Sequence, residues 1–479
     1  MLGISPTDAA TKTIATIGPA CQTVDKLVAL IRLGVDIFRI NSAHGDRSQH
    51  ESALENIREA ARLTETHVGI LLDLSGPKIR LGQLLVDPFY CEYAAEVVFI
   101  RGDAPEAPNQ LTSTYKRLID ELRAGDRVML ADGTVSLVVN RVADDGVHCQ
   151  VTGAGEIRSR QGINLPGVKL SVSAMRPADV DNAIWGAQNG LDFISLSFVR
   201  SAEDVHSLRN LLTSYESNAL VVAKIEKPEA LDQLEAIVDS ADAVMVARGD
   251  LGVEIDVAEI PVAQKRIIRV CREKLKPVIV ATQMLDSMHH NRRPTRAEAS
   301  DVANAILDGA DACMLSGETA IGDFPEEAVA TMNRIMLHTE QKLLIEDVHH
   351  PGQYHRVHPI TSAVTEAATS IAEAIQAKLI VIATHSGGTA WVKSKSRSRI
   401  PTIGASDNLA TLRRMSLFWG IKPLFLPGFD DTERLLDQVI RWGAGRGFLA
   451  TGDKLVLVTG SGVMQKAHNL LIVHTVGPT

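Results

Sequence analysis

The chain has 479 residues, 45% of them apolar, with a formal net charge of −9 and a pI near 5.9. That length exceeds one compact core and divides into two to four domains, while the acidic balance excludes a general nucleic-acid or membrane-surface binder, which needs a basic field to capture phosphates. Five cysteines without a C-x-x-C pair, a start MLGISPTDAA lacking the regions of a signal peptide, and no apolar run near the roughly 20 residues of a membrane span lead to the expectation of a cytoplasmic protein with reduced thiols and no structural metal cluster.

In chain order, short apolar runs of strand length recur between segments of helical period: TIATIG, DIFRIN, VGILLDL, LDFISLSF, LVVAKIE, DAVMVARG, PVIVATQM and DACMLSGE. Strands alternating with helices imply parallel βαβ units, and eight of them close a (β/α)8 TIM barrel, assigned to residues 1–82 and 165–342. The third and fourth runs are separated by an insertion, 83–164, in which AGDRVMLADGTVSLVVNRVADDGVHCQVTGAG alternates apolar and polar residues around Asp-Gly turns. This reads as a small β-barrel lid domain, with LGQLLVDP and NLPG as hinges. After the eighth run, a His-rich helical stretch, DVHHPGQYHRVHP, leads into residues 343–479. There ITSAVTEAATSIAEAIQA, NLATLRRM and TERLLDQVIRWG have helical spacing, and LIVIAT, KPLFLP, KLVLVTG and LLIVHTV read as strands of an open α/β domain.

In a parallel barrel the chemistry sits at the carboxyl ends of the strands. Side chains alternate along a strand, so residues two apart share a face. Arg39 with Asn41, Asp73 with Ser75, Ser195 with Ser197, Lys224 with Glu226, Arg248 with Asp250, and Ser316 with Glu318 are such pairs, and Thr282 adds a hydroxyl on the seventh strand. One such pair reads as a capping residue or an ion pair; the recurrence of six points to a site. Glu226 and Asp250 are hard oxygen ligands of the kind Mg²⁺ or Mn²⁺ takes. Arg39, Arg80, Arg248 and Lys224 are then cations around a metal, as a transferring phosphoryl group requires. Lys224 also admits a Schiff-base reading, which its neighbouring carboxylate and the arginines disfavour.

FRINSAHG, LLDLSGPKIR, NLPG, AKIEKPEAL, VMVARGDLGVEI, VIVATQMLDSM and RPTRAEASDVANAILDGADACMLSGETA together resemble the signatures of the pyruvate kinase family, over essentially the whole chain. The resemblance implies transfer of the phosphoryl group of phosphoenolpyruvate to ADP, giving pyruvate and ATP, under a mobile lid in a homotetramer. It implies Arg39 and Lys224 at the phosphoryl group, Ser197 at the substrate, and Glu226 and Asp250 on Mg²⁺. Backbone amides of Ala247, Gly249 and Asp250 then face the substrate carboxylate, and Thr282 lies beside the methylene carbon that is protonated. Pro19, Asn41, His44, Arg80 and, in the lid, Arg160 fall on the nucleotide side. Rival readings are another barrel enzyme of phosphoenolpyruvate or pyruvate, and a regulatory paralogue that binds metabolites without turnover.

Two departures from the family pattern carry consequences. Ala43 and Leu74 stand where most members have serine and threonine ligands of an essential potassium ion, and Lys78 stands where those members have glutamate. The expectation is that the Lys78 ammonium, with Asp73, replaces potassium and that none is required. MRPAD replaces the acidic-Lys-Asp helix start after NLPG, with no assigned consequence. In the C-terminal region THSGGTA, containing Thr384, Ser386, Gly387, Gly388 and Thr389, resembles the loop that binds the phosphate of an effector, and a Ser/Thr-Gly turn at a helix start suits an anion. TGSG at 459–462 is a candidate opposing wall, and KSKSRSR, Lys393 to Arg399, is either a supplement to that pocket or solvated surface.

Overall fold

The computed structural model describes residues 9–168, 171, 173–343, 359–398, 400–427, 432–459 and 470–477. The eight apolar runs form eight strands: β1 (Lys12–Thr16), β2 (Val35–Asn41), β3 (Gly69–Asp73), β4 (Phe193–Leu196), β5 (Leu220–Ile225), β6 (Ala243–Ala247), β7 (Val278–Ala281) and β8 (Ala312–Leu315). They pair in parallel in sequential order, and β1 closes on β8. Such strands are covered on both faces, which is why they read as near-continuous apolar runs. Alternation divides their side chains into two cores. Phe38, Ile70, Leu72, Ile194, Val221 and Val244 face the surrounding helices, whereas Ile37, Leu71, Phe193, Val222 and Met245 fill the barrel interior.

Between β3 and β4, a six-stranded sheet runs in the order Ile163–Asn164, Arg127–Leu130, Val135–Ala143, Gly146–Gly153, Glu96–Phe99, Gln110–Leu111, with a two-stranded ribbon, Phe89–Cys91 with Gly155–Ile157, beside it. It has its own core, including Leu111, Leu130, Val139 and Cys149. Its pairing already starts at Arg80, which bridges Gly162, and at Leu81, which bridges Ser113.

The C-terminal sheet contains β9 (Leu379–Ala383), β10 (Thr402–Ser406), β11 (Ile421–Phe425), β12 (Lys454–Thr459) and β13 (Leu470–Thr475), in the order β11-β10-β9-β12-β13. All pairs are parallel except β12 with β13. Strand β10 was not among the sequence-predicted strands. Its TIGAS is short and broken by Gly404, whose missing side chain leaves room for Met415: a Cβ there would lie 2.4 Å from the Met415 sulfur. The His-rich stretch through residue 358 and most of TGSG lie outside the described residues.

The run KSKSRSR takes neither of its two expected places. Lys393 is buried, the Lys395 side chain is nearly covered, and Lys395 and Arg397 close on Asp311 at 2.8 and 3.0 Å. Asp311 in turn accepts the Val278 amide at 2.9 Å, and its carbonyl accepts the Lys12 amide, so the basic run anchors the C-terminal sheet to the amino ends of β1 and β7. Arg399 is outside the described residues. Among the described residues no helix is long and apolar enough to cross a membrane.

Candidate active site

The carboxyl ends of β2 to β5 converge on Asp73, which is 2% exposed. Arg39 approaches its Oδ2 through Nε at 2.8 Å and through its terminal nitrogen at 2.6 Å, and Ser195 Oγ donates to Oδ1 at 2.6 Å. Lys224 Nζ lies 3.4 Å from Oδ1. Burial alone would raise the Asp73 carboxyl; the Lys224 and Arg39 charges and the hydrogen bonds outweigh it and bring the pKa down to about 2. Arg39 is held further by Thr16, whose Oγ1 accepts from it at 3.1 Å. A fixed guanidinium therefore stands at the mouth of the barrel.

Lys224 is buried, and its ammonium donates to Ser197 Oγ at 2.7 Å and stands 2.8 Å from Glu226 Oε1. Burial works against its charge, but Asp73 and Glu226 together raise its pKa above the ordinary lysine value. Its two carboxylate partners favour the ammonium over the neutral amine that Schiff-base chemistry needs. Ser197 donates to the Leu74 carbonyl at 2.7 Å, so it is an oriented acceptor for Lys224.

Glu226 is fully buried, and its Oε2 accepts the Phe198 amide at 2.6 Å. Its Oε1 meets Lys224 as an ion pair, yet receives no aligned hydrogen bond. Burial first, and then the nearby Asp250 charge, raise the Glu226 carboxyl against the pull of Lys224. A buried carboxylate oxygen without an aligned donor, in the field of a second carboxylate, fits a divalent cation. Among the described residues there is no group of three or more His, Cys, Asp or Glu side chains placed to hold a metal ion.

The turn after β7 brings Thr282 to the site. Its Oγ1 accepts the Gly249 amide at 2.8 Å and donates to the Ala281 carbonyl at 2.6 Å. Thr282 and Gln283 both have left-handed backbones, φ 68° and 54°, a costly conformation for a β-branched residue. Arg248, expected among the cations around the metal, is turned away. Its guanidinium pairs with Asp301 at 2.7 Å and donates to the Thr282 carbonyl at 2.8 Å. The reason is local: after Ala247 the chain enters the helix Arg248–Glu254, and strand alternation no longer applies.

Lys78 pairs with Asp250 at 3.9 Å rather than with Asp73, and both side chains are about one-third exposed (34% and 33%). Asn41 turns its Oδ1 to the Ala43 amide at 3.1 Å, and Leu74 buries its side chain in the layer facing the helices. Of the residues expected to meet the nucleotide, Pro19 and His44 are exposed, and Arg80 donates to the carbonyl of Arg160 at 3.1 Å, joining the barrel rim to the inserted sheet. Sequence reasoning assigned nothing to MRPAD. In it Asp179 is fully buried and accepts from Ser75 Oγ at 3.0 Å and the Gly76 amide at 3.2 Å, while Arg176 donates to Ser75 Oγ at 2.6 Å. The signal was available in the Asp at the third helical position, where a carboxylate reaches back to free amides.

Residues 9–329 match the family model for the pyruvate kinase barrel domain, and residues 362–474 match that for the pyruvate kinase alpha/beta domain. The chain belongs to the pyruvate kinase family. Similar relatives include the pyruvate kinases of Corynebacterium efficiens, 41% identical with 98% of each chain covered, and of Geobacillus stearothermophilus, 40% identical over 97% of this chain and 80% of that one. A crystal structure of a pyruvate kinase from Cryptosporidium parvum superposes with a TM-score of 0.91 at 34% identity, covering 98% of this chain and 96% of that one. Like the pyruvate kinases it resembles, the chain is a phosphotransferase.

Within the pyruvate kinase C-terminal domain, the candidate effector loop is internally bonded. Thr384 Oγ1 accepts the Gly387 amide at 3.1 Å, Ser386 Oγ accepts the Gly388 amide at 3.4 Å, and Gly387 has φ 89° ahead of the helix Gly388–Lys395. Ser386 and Gly388 are exposed, whereas Thr384 and Thr389 are buried.

Proposed function

We propose that the barrel site transfers the phosphoryl group of phosphoenolpyruvate to ADP, giving pyruvate and ATP, with Mg²⁺ or Mn²⁺ and without a potassium requirement. The observation that carries this reading is the buried Lys224 ammonium set between Ser197 and Glu226, facing a carboxylate oxygen left without an aligned donor. Glu226 and Asp250 are the residues that would hold the divalent ion, which would supply charge neutralisation for phosphate and carboxylate oxygens. Arg39 and Lys224 bind the phosphoryl oxygens as the bond to the enol oxygen breaks and the bond to the ADP oxygen forms, with the positive charge in place before reaction. The backbone of Ala247, Gly249 and Asp250 faces the substrate carboxylate, and Thr282 lies on the face where the methylene carbon takes up a proton. Pro19, Asn41, His44, Arg80 and Arg160 frame the nucleotide, and closing the inserted domain, 83–164, over the barrel excludes water.

Lys78 places a covalent monovalent cation beside Asp250, which supports potassium independence. The loop Thr384 to Thr389 is the site of a phosphorylated small-molecule effector in the C-terminal domain, 343–479, and the assembly is a homotetramer. A coupled assay of phosphoenolpyruvate and ADP with Mg²⁺ tests these together. Turnover in tetramethylammonium should stay within about twofold of turnover in potassium; a drop of tenfold or more that potassium restores rejects the ion assignment. In Lys224→Met, Mn²⁺ binding should persist while turnover falls by orders of magnitude, and retained turnover rejects the placement of Lys224. Light scattering of the full chain reads the tetramer.

A further inference from the structure

A cleft of about 590 Å³ opens between the barrel and the C-terminal sheet, on the side where β3 begins rather than where it ends at Asp73. This volume lies within the range of small-ligand sites. Arg58 and Arg62 reach it from the helix Arg47–Thr64, Arg413 from the helix Leu409–Met415, and Trp442 and Arg446 from the last C-terminal helix and its exit, with Phe425 at the end of β11. Four guanidiniums thus face one lining carboxylate, Glu65.

Two of the four, Arg58 and Arg446, have no carboxylate partner among the described residues. Arg58 donates to the Asn189 carbonyl, which carries no formal charge. Arg446 lies over the Trp442 ring, 5.1 Å from its centroid, an arrangement that orients both groups without neutralising either. Arg62 pairs with Glu59 at 2.7 Å on an exposed helix face, a contact of small worth that a ligand can displace. Arg413 uses Nε for Asp192 at 2.8 Å. Guanidinium forks match phosphate oxygens, and the exposed Phe425 and the Arg-backed Trp442 offer flat apolar surface beside them.

We propose that this cleft is a second ligand site, separate from the catalytic centre and from the loop Thr384 to Thr389, and that it takes a small phosphate monoester carried on a planar aromatic body. Its position links it to both. Thr411, on the same helix as Arg413, donates to the His385 carbonyl in the C-terminal loop at 2.7 Å. Asp192, the partner of Arg413, accepts the Ile70 amide of β3 at 3.0 Å, three residues before Asp73.

The test is calorimetric titration of the full chain with phenyl phosphate, inorganic phosphate and phenol, in the presence of Mg²⁺ and saturating phosphoenolpyruvate so that the catalytic centre is filled. Phenyl phosphate should bind at least tenfold more tightly than either fragment. The double variant Arg62→Ala/Arg446→Ala should weaken it tenfold or more with kcat unchanged, and Trp442→Leu should remove the advantage over inorganic phosphate. Equal affinity for phenyl phosphate and inorganic phosphate, undiminished binding in the double variant, or no binding at millimolar concentration each overturn the proposal.

Discussion

Asp73 shows how one buried carboxylate organises a site through its neighbours. Its depressed pKa of about 2 against an ordinary 3.8 means that its contribution to stability is full above pH 4 and is lost as pH falls through 2. Asp73→Asn is expected to cost about 2–3 kcal/mol near neutral pH, measured by urea unfolding, with the difference from the parent shrinking as pH approaches 3. Lys78 is the opposite case, a loosely held and partly exposed charge whose pairing adds little to stability. Lys78→Gln should therefore leave the melting temperature within about 2 °C while lowering kcat. Added potassium should not restore it, because Ala43 and Leu74 have no side-chain oxygens to offer an ion; restoration by potassium contradicts the assignment. The identity of these residues was legible in LLDLSGPKIR. Their pairing was not, because Lys78 is drawn to Asp250, which is 172 positions away in the chain.

The segment after β7 is held in place by the helix that follows β6. Thr282 sits in a left-handed conformation held by Arg248, whose guanidinium spans the Thr282 carbonyl and Asp301. A lysine has no fork to span both. Arg248→Lys should lower kcat by about tenfold with little change in the KM for phosphoenolpyruvate. It should also slow deuterium uptake at the methyl carbon of pyruvate in proportion, which a purely structural loss would not do selectively. Equal losses in kcat and in folded fraction count against a positioning function. Sequence alternation placed Arg248 beside Asp250 on one face, and it failed because the strand ends at Ala247 and helical geometry begins.

Across the whole molecule, the barrel floor is where charge and packing trade places. Lys393 is 2% exposed, and burial lowers its pKa to about 7, opposed only in part by Glu373. Because the unfolded lysine titrates near 10.5, the unfolded state binds more protons between pH 7 and 10.5, so this residue makes stability rise with pH across that window. Lys393→Met should stabilise the protein by a few kcal/mol at pH 7, on the order of the lysine's desolvation, and should flatten that rise; calorimetric melting at pH 7 and 9 reads both effects. A variant less stable at pH 7 would show that the Ser396 hydrogen bond at 2.9 Å outweighs burial.

Composition could not reveal this arrangement, since KSKSRSR reads equally as solvated surface or as part of an effector pocket, and only the fold brings Lys395 and Arg397 onto Asp311. By itself the sequence determined the eight parallel strands, because strands covered on both faces must be apolar throughout, and it determined the chemical groups at their ends, because a polar residue closing such a run has few other reasons to be there. It also carried the family signatures that the full-length comparisons bear out. Tertiary structure alone decided which charge meets which: Lys224 with Glu226 and Asp73, Lys78 with Asp250, Arg248 with Asp301, and four arginines around one cleft. Hydrophobic periodicity is a local property that each strand or helix displays on its own. An ion pair depends on the distance between side chains from different elements, and that distance exists only once the barrel has closed.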